Sequence, residues 1–186
     1  VLHRLDVRNG KALGGPIPRA DFGGVSWAKD GRQFVFTQLQ ELKPGMPETE
    51  KYQKSRVMLL GRAAAADSAQ PVFGVGVPGV DIGPAEIPVV VLTHDGRWAL
   101  GFVFNGTQRE LSLFVSPAAD LLKGKPRWQR RFGAAEEITG VAYMRDTLYL
   151  LTHRGAPRSR VLALPIGAPV AQAVEIVPAS NRVVAG

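Results

Sequence analysis

The 186-residue sequence has no cysteine, few aromatic residues and no long apolar run. Without cysteine the chain forms no disulfide bond and no thiolate metal site, and the compartment, cytoplasmic or periplasmic, stays open. No stretch approaches the roughly 18 consecutive apolar residues of a membrane span, and no basic and then apolar leader opens the sequence. The chain begins at Val1 without methionine, so we expect a piece of a longer polypeptide whose upstream signals lie outside this sequence.

The composition favours turns over long helices. Aromatic residues make up only 8% of the chain, while 21 glycines and 14 prolines supply many positions at which the chain can reverse. The length and the hydrophobic content of 45% are sufficient for one domain with a sizeable core.

The formal net charge of +7 raises the question of an anionic partner such as nucleic acid or a membrane surface. The positive residues are spread along the chain. Their densest cluster surrounds a lone tryptophan, Trp128, and comprises Lys123, Lys125, Arg127, Arg130 and Arg131. Nucleic-acid-binding surfaces usually add interleaved aromatic side chains that stack on bases. The sequence therefore predicts neither a nucleic-acid partner nor a membrane partner.

One unit occurs three times: an apolar strand, a tight turn with Asp, a second apolar strand, a loop, and a third strand. The copies are GVSWAKDGRQFVFTQ with RVMLLG, VVVLTHDGRWALGFVF with ELSLFVSP, and GVAYMRDTLYLLTH with RVLALPIG. A repeat of about 40 to 50 residues built from short strands is typical of a β-propeller blade. The prediction is an all-β fold of antiparallel four-stranded blades that form a partial propeller arc.

The repeats also set the expected blade boundaries. We expect the end of a preceding blade, three blades and the start of a next blade, at residues 1–21, 22–80, 81–135, 136–178 and 179–186. Their hairpin turns lie at Asp30-Gly31, Asp95-Gly96 and Arg145-Asp146. An earlier turn, Arg8 to Lys11, contains Asn9-Gly10, a pair that favours positive φ at both central residues.

Other segments predict details of the blades. Inner strands such as VVVLT at 89–93 are nearly all apolar, which predicts burial on both faces between neighbouring blades. The expected helical turn runs from Pro117 to Leu122, and the alanines of 63–66 lie in a turn between strands. The connection from Leu39 to Lys54 is long, and loops of this length are usually functional or disordered.

No residue set forms a complete active site, so we predict no catalytic residue in this chain. The nearest match to a G-x-S-x-G nucleophile elbow is the segment from Gly24 to Ala28, which ends in alanine and precedes a hairpin instead of a helix. We expect Ser26 to be an inner-strand residue whose hydroxyl satisfies a backbone group.

The histidines predict no metal site. His94 falls at a hairpin tip, and His3 and His153 lie at strand positions of separate blades, whereas a metal site needs converging ligands. The glycine-rich stretch 73–83 lacks the following helix that would direct backbone amides at a phosphate, so we expect a crossing between blades there and no cofactor.

The paired carboxylates do not indicate acid-base chemistry. Glu136 and Glu137 are neighbours just before a strand, so strand alternation predicts that they point to opposite faces. Glu48 and Glu50 lie in a loop rich in proline and lysine. We interpret all four as solvated loop charges.

Several ordered segments resemble the propeller domain of the prolyl oligopeptidase family of serine peptidases. These segments are GVSWAKDGRQFVFTQ, YQKSRVMLLG, HDGRWAL and ITGVAYMRDTLYLLTHRGAPRSRVLALPI. The resemblance covers essentially the whole chain, as roughly three blades and two partial ones. The sequence departs from the family pattern because it holds neither seven blades nor any part of the peptidase domain.

The resemblance implies that the chain is a non-catalytic portion of a prolyl-oligopeptidase-like enzyme. Its partners would be the α/β-hydrolase peptidase domain of the same polypeptide and short peptides, which the parent would hydrolyse after proline with a Ser-Asp-His triad outside this chain. The propeller would exclude folded proteins from the enclosed site. No cofactor is implied.

The resemblance also implies which connections face the peptidase domain. In that family both ends of the propeller join the peptidase domain, so the first strand of a blade starts on the peptidase side. Because consecutive strands alternate in direction, the loops between second and third strands return to that side. These loops are Leu39 to Lys54, Asn105 to Glu110 and His153 to Arg158, whereas the turns at Asp30, Asp95 and Asp146 face away.

Two other interpretations stay open. A stand-alone β-propeller module would present its loops to a protein partner without any peptidase link, and an independent enzyme would need a site that the sequence does not display. An excised arc also exposes two apolar blade faces and incomplete terminal blades. We therefore expect a homo-oligomer through the first and third full blades.

Overall fold

The structure, a computed structural model, describes residues 1–184, which form three antiparallel four-stranded sheets. In each sheet the strands lie side by side in chain order. The first sheet comprises β1 (Val25–Trp27), β2 (Gln33–Gln38), β3 (Arg56–Gly61) and β4 (Gln70–Gly74). The second comprises β5 (Ile87–Leu92), β6 (Trp98–Phe104), β7 (Ser112–Pro117) and β8 (Gln129–Phe132), and the third β9 (Ile138–Met144), β10 (Thr147–Thr152), β11 (Arg160–Pro165) and β12 (Val174–Val177). The expected all-β fold of four-stranded blades is confirmed.

Helical structure is confined to short segments. The helix α1 (Ala118–Leu121) follows β7 and lies within the helical turn expected from Pro117 to Leu122. Within residues 1–184, 3-10 turns occupy Glu48–Tyr52, Ala66–Ser68, Ala134–Glu136 and Val170–Gln172. In the described part of the chain no helix is long and apolar enough to cross a membrane.

The repeated unit supplies the first three strands of each sheet, and a short edge strand completes it. In the second sheet Val90 pairs with Gly101, which pairs in turn with Phe114, so the three strands stay in register across the sheet. The outer strands β4, β8 and β12 each pair with a register shift. Such irregularities increase the local twist, which makes an edge strand a poorer template for pairing with other chains.

The sheets stack face to face, and apolar side chains fill each interface. Between the first and second sheets Phe73 is fully buried, with its ring centroid 5.5 Å from that of Phe114 and 4.6 Å from that of Trp128. Leucines from both sides fill the interface between the second and third sheets: Leu100, Leu113, Leu148 and Leu150. The burial of this apolar surface holds neighbouring sheets together.

Strand β7 is buried on both of its faces. Leu113 and Val115 belong to the core shared with the third sheet, whereas Phe114, between them in sequence, belongs to the core shared with the first sheet. Successive side chains of a strand point to opposite faces. A strand covered on both sides therefore needs an unbroken apolar run, as β7 has.

The prediction of double burial for the 89–93 strand is wrong. Val90 and Leu92 are buried, but Val91 between them is 42% exposed. The reason is that Val90 and Leu92 point into the core shared with the first sheet, whereas Val91 points to the opposite face and belongs to no core cluster shared with the third sheet. The apolar run at 89–93 reflects strand propensity in addition to burial.

The turn predicted at Arg8 to Lys11 also differs from the expectation. Gly10 has a φ of 68°, but Asn9 is not in the positive-φ region. The Gly10 N–H donates to the Asp6 carbonyl oxygen at 2.8 Å, and the Asp6 N–H donates to that of Lys11 at 2.8 Å. The chain therefore reverses over a wider loop, in which only the glycine is left-handed.

The three blade hairpins are of two kinds. In the hairpins at Asp30-Gly31 and Asp95-Gly96 only the glycines have positive φ, 66° and 76°. In the third hairpin Met144 pairs with Thr147 across a two-residue turn, Arg145-Asp146, whose φ angles are 49° and 61°. Two positive φ angles match the right-handed twist of the flanking strands. The tightest hairpin thus forms where glycine is absent.

The terminal segments contain no assigned strand within the described residues. Residues 1–20 lie against the first sheet and are joined by antiparallel bridges such as Leu2 to Ile17. Of the expected start of a next blade at 179–186, residues 185–186 lie outside the described residues and the others form no assigned strand. The blade boundaries derived from the sequence therefore remain predictions.

We expect Gly101→Ala to destabilise the protein by about 1–3 kcal/mol, because it overpacks the interface between the first and second sheets. A Cβ atom at Gly101 would lie 2.7 Å from Phe73 Cζ, and Phe73 is fully buried with no space into which to withdraw. Chemical denaturation measures the loss. The control is Gly24→Ala, where a Cβ atom would meet nothing within 4 Å. Equal losses for the two variants would contradict the tight contact.

Candidate functional site

Two sets of connections lie at opposite ends of the sheets, because consecutive strands alternate in direction. The tight hairpins between first and second strands, residues 28–32, 93–97 and 145–146, lie at one end, here called the hairpin end. The connections between third and fourth strands, residues 62–69, 118–128 and 166–173, lie at the same end. The connections between second and third strands form the other, the loop end: residues 39–55, 105–111 and 153–159. Each end brings together residues that are distant in sequence, so each is a candidate site.

At the hairpin end a network of charged and aromatic residues joins the second and third sheets. Arg97 Nη1 lies 2.6 Å from Asp146 Oδ2, and its Nε lies 3.2 Å from Asp95 Oδ2. The Tyr143 hydroxyl donates to Asp95 at 2.7 Å, and the Trp98 indole N–H donates to Asp146 at 2.9 Å. Asp95 and Arg97 belong to the second sheet, and Tyr143 and Asp146 belong to the third.

Hydrogen bonds keep the Asp95 carboxylate ionised. The Thr93 hydroxyl donates to it at 2.6 Å, and this bond, together with those from Arg97 and Tyr143, holds the pKa of Asp95 well below its usual value. Burial, followed by the bond to Asp95, raises the pKa of Tyr143 to about 12. Neither group changes its charge near neutral pH. The network is therefore suited to linking two sheets and not to moving protons.

At the loop end His153 lies between two carboxylates. Its Nε2 is 2.8 Å from Glu110 Oε1, and its Nδ1 is 3.3 Å from Glu137 Oε2. The hydrogen bond from His153 holds the pKa of Glu110 below its usual value. Glu110 comes from a loop of the second sheet, whereas the other two residues come from the third. This cluster therefore links the same two sheets as the hairpin-end network, at the opposite end.

The expectation that Glu136 and Glu137 point to opposite faces of a strand is wrong. A 3-10 turn, Ala134–Glu136, precedes β9, and Glu137 has a left-handed φ of 53°, so strand alternation does not apply. Glu136 Oε2 accepts the Gly133 N–H at 2.8 Å and closes the turn. Glu137 contacts His153 and is not simply a solvated loop charge.

The cluster around His153 was missed by the sequence analysis. His153 is at a strand end, as expected, but Glu110 is 43 residues away and no local pattern connects the two. The signal that was available is the placement of the two loops, Asn105 to Glu110 and His153 to Arg158, on the same side. A histidine and a carboxylate on neighbouring loops of the same side are candidates for an ion pair.

Ser26 and the other histidines occupy separate positions. The Ser26 hydroxyl accepts the Leu92 N–H at 2.9 Å, which confirms that it satisfies a backbone group, here in the neighbouring sheet. His94 lies at the second hairpin, with its ring centroid 6.4 Å from that of Tyr143, and His3 lies in the segment that precedes the first sheet. Among residues 1–184 no three His, Cys, Asp or Glu side chains are grouped to hold a metal ion.

The tryptophan of the basic cluster belongs to the core. Trp128 is buried, and its indole N–H donates to the Val72 carbonyl oxygen at 2.6 Å. Of the neighbouring arginines, Arg127 pairs with Asp120 at 2.7 Å. Trp128 therefore presents no free ring on which a base could stack.

The longest loop-end connection, Leu39 to Lys54, is folded on itself. The Gln40 N–H donates to the Lys51 carbonyl oxygen at 3.1 Å, and the Gln40 side chain donates to that of Glu50 at 2.9 Å. The Lys54 N–H donates to the Pro84 carbonyl oxygen at 2.6 Å. This last bond ties the end of the loop to the link between the first two sheets.

Stacked four-stranded antiparallel sheets, each made of consecutive strands, define the class of the protein: a partial β-propeller in which each sheet is a blade. The family model described as the prolyl oligopeptidase N-terminal beta-propeller domain matches residues 1–186. The chain belongs to this family, and the resemblance stated from its sequence is confirmed. In prolyl oligopeptidases this propeller domain belongs with a peptidase domain.

Solved structures share the fold at low sequence identity. One, from work on two prolyl endopeptidases and the role of inter-domain dynamics in catalysis and specificity, is 20% identical, with a TM-score of 0.77 over 96% of this chain and 25% of its own. Prolyl oligopeptidase B from Galerina marginata, bound to a 35mer hydrolysis and macrocyclization substrate, is 15% identical, with a TM-score of 0.75 over 94% of this chain and 24% of its own. The chain thus spans about a quarter of the length of these structures. No curated protein matches it.

We expect Asp146→Asn to destabilise the protein by roughly 1 kcal/mol, since it weakens charged hydrogen bonds that solvent partly screens. Asparagine keeps the size of the side chain and tolerates the left-handed φ of 61° at this position. Thermal unfolding near neutral pH measures the change. The control is Asp30→Asn, because the Asp30 carboxylate bonds to Arg32 of its own turn. A loss as large at Asp30 as at Asp146 would contradict the linking role of the network.

Proposed function

We propose that this chain is the non-catalytic propeller portion of a prolyl-oligopeptidase-like serine peptidase. Its loop end faces an α/β-hydrolase peptidase domain of the same polypeptide and controls the access of short peptides to the active site of that domain. Membership of the propeller family supports this proposal, because the family's propeller belongs with a peptidase domain in prolyl oligopeptidases.

The observation that carries the proposal is the difference between the two ends of the blades. At the hairpin end the turns between first and second strands are short, the longest connection between third and fourth strands is residues 118–128, and Arg97, Asp95 and Asp146 bind two of the turns together. The longest connection between strands, residues 39–55, lies at the loop end, and long loops on a rigid scaffold are where binding residues usually lie. The first strand of each sheet also begins at the loop end. A chain that enters the propeller from a peptidase domain would enter on this side.

We further propose that the loop from Leu39 to Lys54 tunes access between the two domains. Its prolines, its glycine and its many charged residues leave little apolar area to offset the entropy lost on ordering. Most of its side chains are exposed or half-buried. A loop of this composition can change conformation at a small cost in free energy.

The alternative function is that of a stand-alone β-propeller module that binds a protein partner with its loops and has no peptidase link. The coding sequence that follows this chain separates the two functions. A G-x-S-x-G motif in the context of a strand, a sharp turn and a helix, followed by an acidic residue and a histidine, supports the peptidase. The lack of such a motif in the complete gene supports the interaction module.

We expect limited trypsin digestion of the chain to cut first in the loop from Leu39 to Lys54, after Lys51 or Lys54, because the bond after Lys43 precedes Pro44 and resists trypsin. Mass spectrometry of the early fragments identifies the site. In the longer parent polypeptide the peptidase domain should slow this cut and leave cleavage after Arg32, at the hairpin end, unchanged. First cleavage at the second or third hairpin, or an unchanged rate at the loop in the parent, would contradict the gating role.

We also propose that the chain by itself forms a homo-oligomer through the outer faces of the first and third sheets, on the first sheet at the part that residues 1–20 leave exposed. Trp27 of β1 is 45% exposed and Met144 of β9 is 51% exposed, on the two sheets that end the stack. Apolar surface of this kind is stabilised by burial against a second copy. Light scattering at roughly tens of micromolar is expected to give a mass of at least two chains. A stable monomer at that concentration would overturn the proposal.

A further inference from the structure

A cavity at the loop end, beside the second and third sheets, is lined by arginine side chains and, on its other sides, by apolar side chains. Its volume is about 770 Å³, which is in the range of sites for small ligands. Most of its polar lining comes from two loops, with Arg109 and Glu110 on one and His153, Arg158 and Ser159 on the other.

The positive charge of the cavity is not neutralised by its own acidic residue. Glu110 is already bonded to His153 at 2.8 Å, and the second ring nitrogen of His153 faces Glu137 at 3.3 Å. Arg109 and Arg158 are exposed, and within residues 1–184 neither side chain makes a hydrogen bond or an ion pair. Two guanidinium groups therefore remain available to a ligand.

The rest of the lining is suited to a ligand with an apolar part. Leu151 and Pro157 contribute to one side of the cavity, and Val183 and Val184 contribute to another. Thr139 and Ser159 add polar atoms between them. A ligand with an anionic group attached to an aliphatic group would complement both the arginine side chains and the apolar side chains of the lining.

We propose that this cavity binds the carboxylate of a short peptide, with Arg109 and Arg158 as its ligands and the apolar wall in contact with the adjoining side chain. The planar fork of a guanidinium matches the two oxygens of a carboxylate and gives short, charge-assisted hydrogen bonds. The contact between Glu110 Oε1 and His153 Nε2, at 2.8 Å, joins the two loops. The proposal rests on the proposed function, in which peptides reach the loop end, and it names the group of the peptide that is recognised.

The test is a titration of the 186-residue chain with proline-containing tetrapeptides, followed by NMR through the amide signals of Thr139 and Ser159. The first peptide has a free C-terminal carboxylate and no acidic side chain, and the second is its C-terminal amide. We expect saturable shifts with the first and binding roughly tenfold weaker with the second, as for the loss of a charged hydrogen bond. An amidated peptide with one glutamate distinguishes a side-chain carboxylate from a terminal one, and binding of either kind supports the site.

Charge-removing variants locate the site. Arg109→Gln and Arg158→Gln should each weaken binding of the free-acid peptide roughly tenfold. Both side chains are exposed and unpaired among the described residues, so circular dichroism and thermal unfolding should be unchanged. The matched control is Arg32→Gln, which removes the same charge at the hairpin end and should leave binding unchanged.

Four results would overturn the proposal: equal binding of acid and amide, an equal effect of Arg32→Gln, no saturable shift up to about 10 mM peptide, or inorganic phosphate bound at least as tightly as the peptide. Any of these would leave the contact with a peptidase domain standing, because protection of the Leu39 to Lys54 loop in the parent is measured separately. Conversely, the parent polypeptide could bind the peptide while its Leu39 to Lys54 loop is cut as fast as in the chain alone. That result would support the peptide site and overturn the contact with a peptidase domain.

Discussion

Close stacking of neighbouring sheets is the constraint on which the rest of this structure depends. It is most severe at Phe73, whose ring carbons come within 2.7 Å of the place where a side chain at Gly101 would begin. The second sheet meets a neighbour on each side, so β7 is apolar at consecutive positions, as Leu113 and Phe114 show. Interiors packed in this way have little room to absorb a change in volume. The sheets therefore act as a rigid frame for the connections at either end.

The second and third sheets are held at both ends as well as through their core. Arg97 and Tyr143 join the carboxylates of Asp95 and Asp146 at the hairpin end, and His153 joins two carboxylates at the loop end. The two links differ in what surrounds them. The hairpin-end link uses nearly all of its polar atoms internally, whereas the loop-end link lies beside a cavity with unengaged arginines. Of these two links, the one at the loop end is therefore the one suited to ligand recognition.

Local sequence patterns were sufficient wherever local chemistry decides the structure. The alternation around Ser26, the apolar runs of β6 and β7 and the turn after Pro117 all correspond to elements of the structure. The same patterns did not predict the exposure or the conformation of residues whose surroundings depend on the tertiary structure. Val91 is exposed because it points away from the first sheet and no core shared with the third sheet covers it. Glu137 leaves the strand pattern because the preceding 3-10 turn is closed by a side-chain bond.

The sequence by itself determined that the chain is all-β, that its blades repeat and to which family it belongs, because strand alternation, turn chemistry and repeated motifs are properties of neighbouring residues. Only the tertiary structure decided which side chains meet across blades. His153 and Glu110 are 43 residues apart, and Ser26 and Leu92 are 66 apart. Such contacts depend on how whole sheets stack and twist, and the free energy of stacking comes from buried apolar area that fixes no particular polar partner.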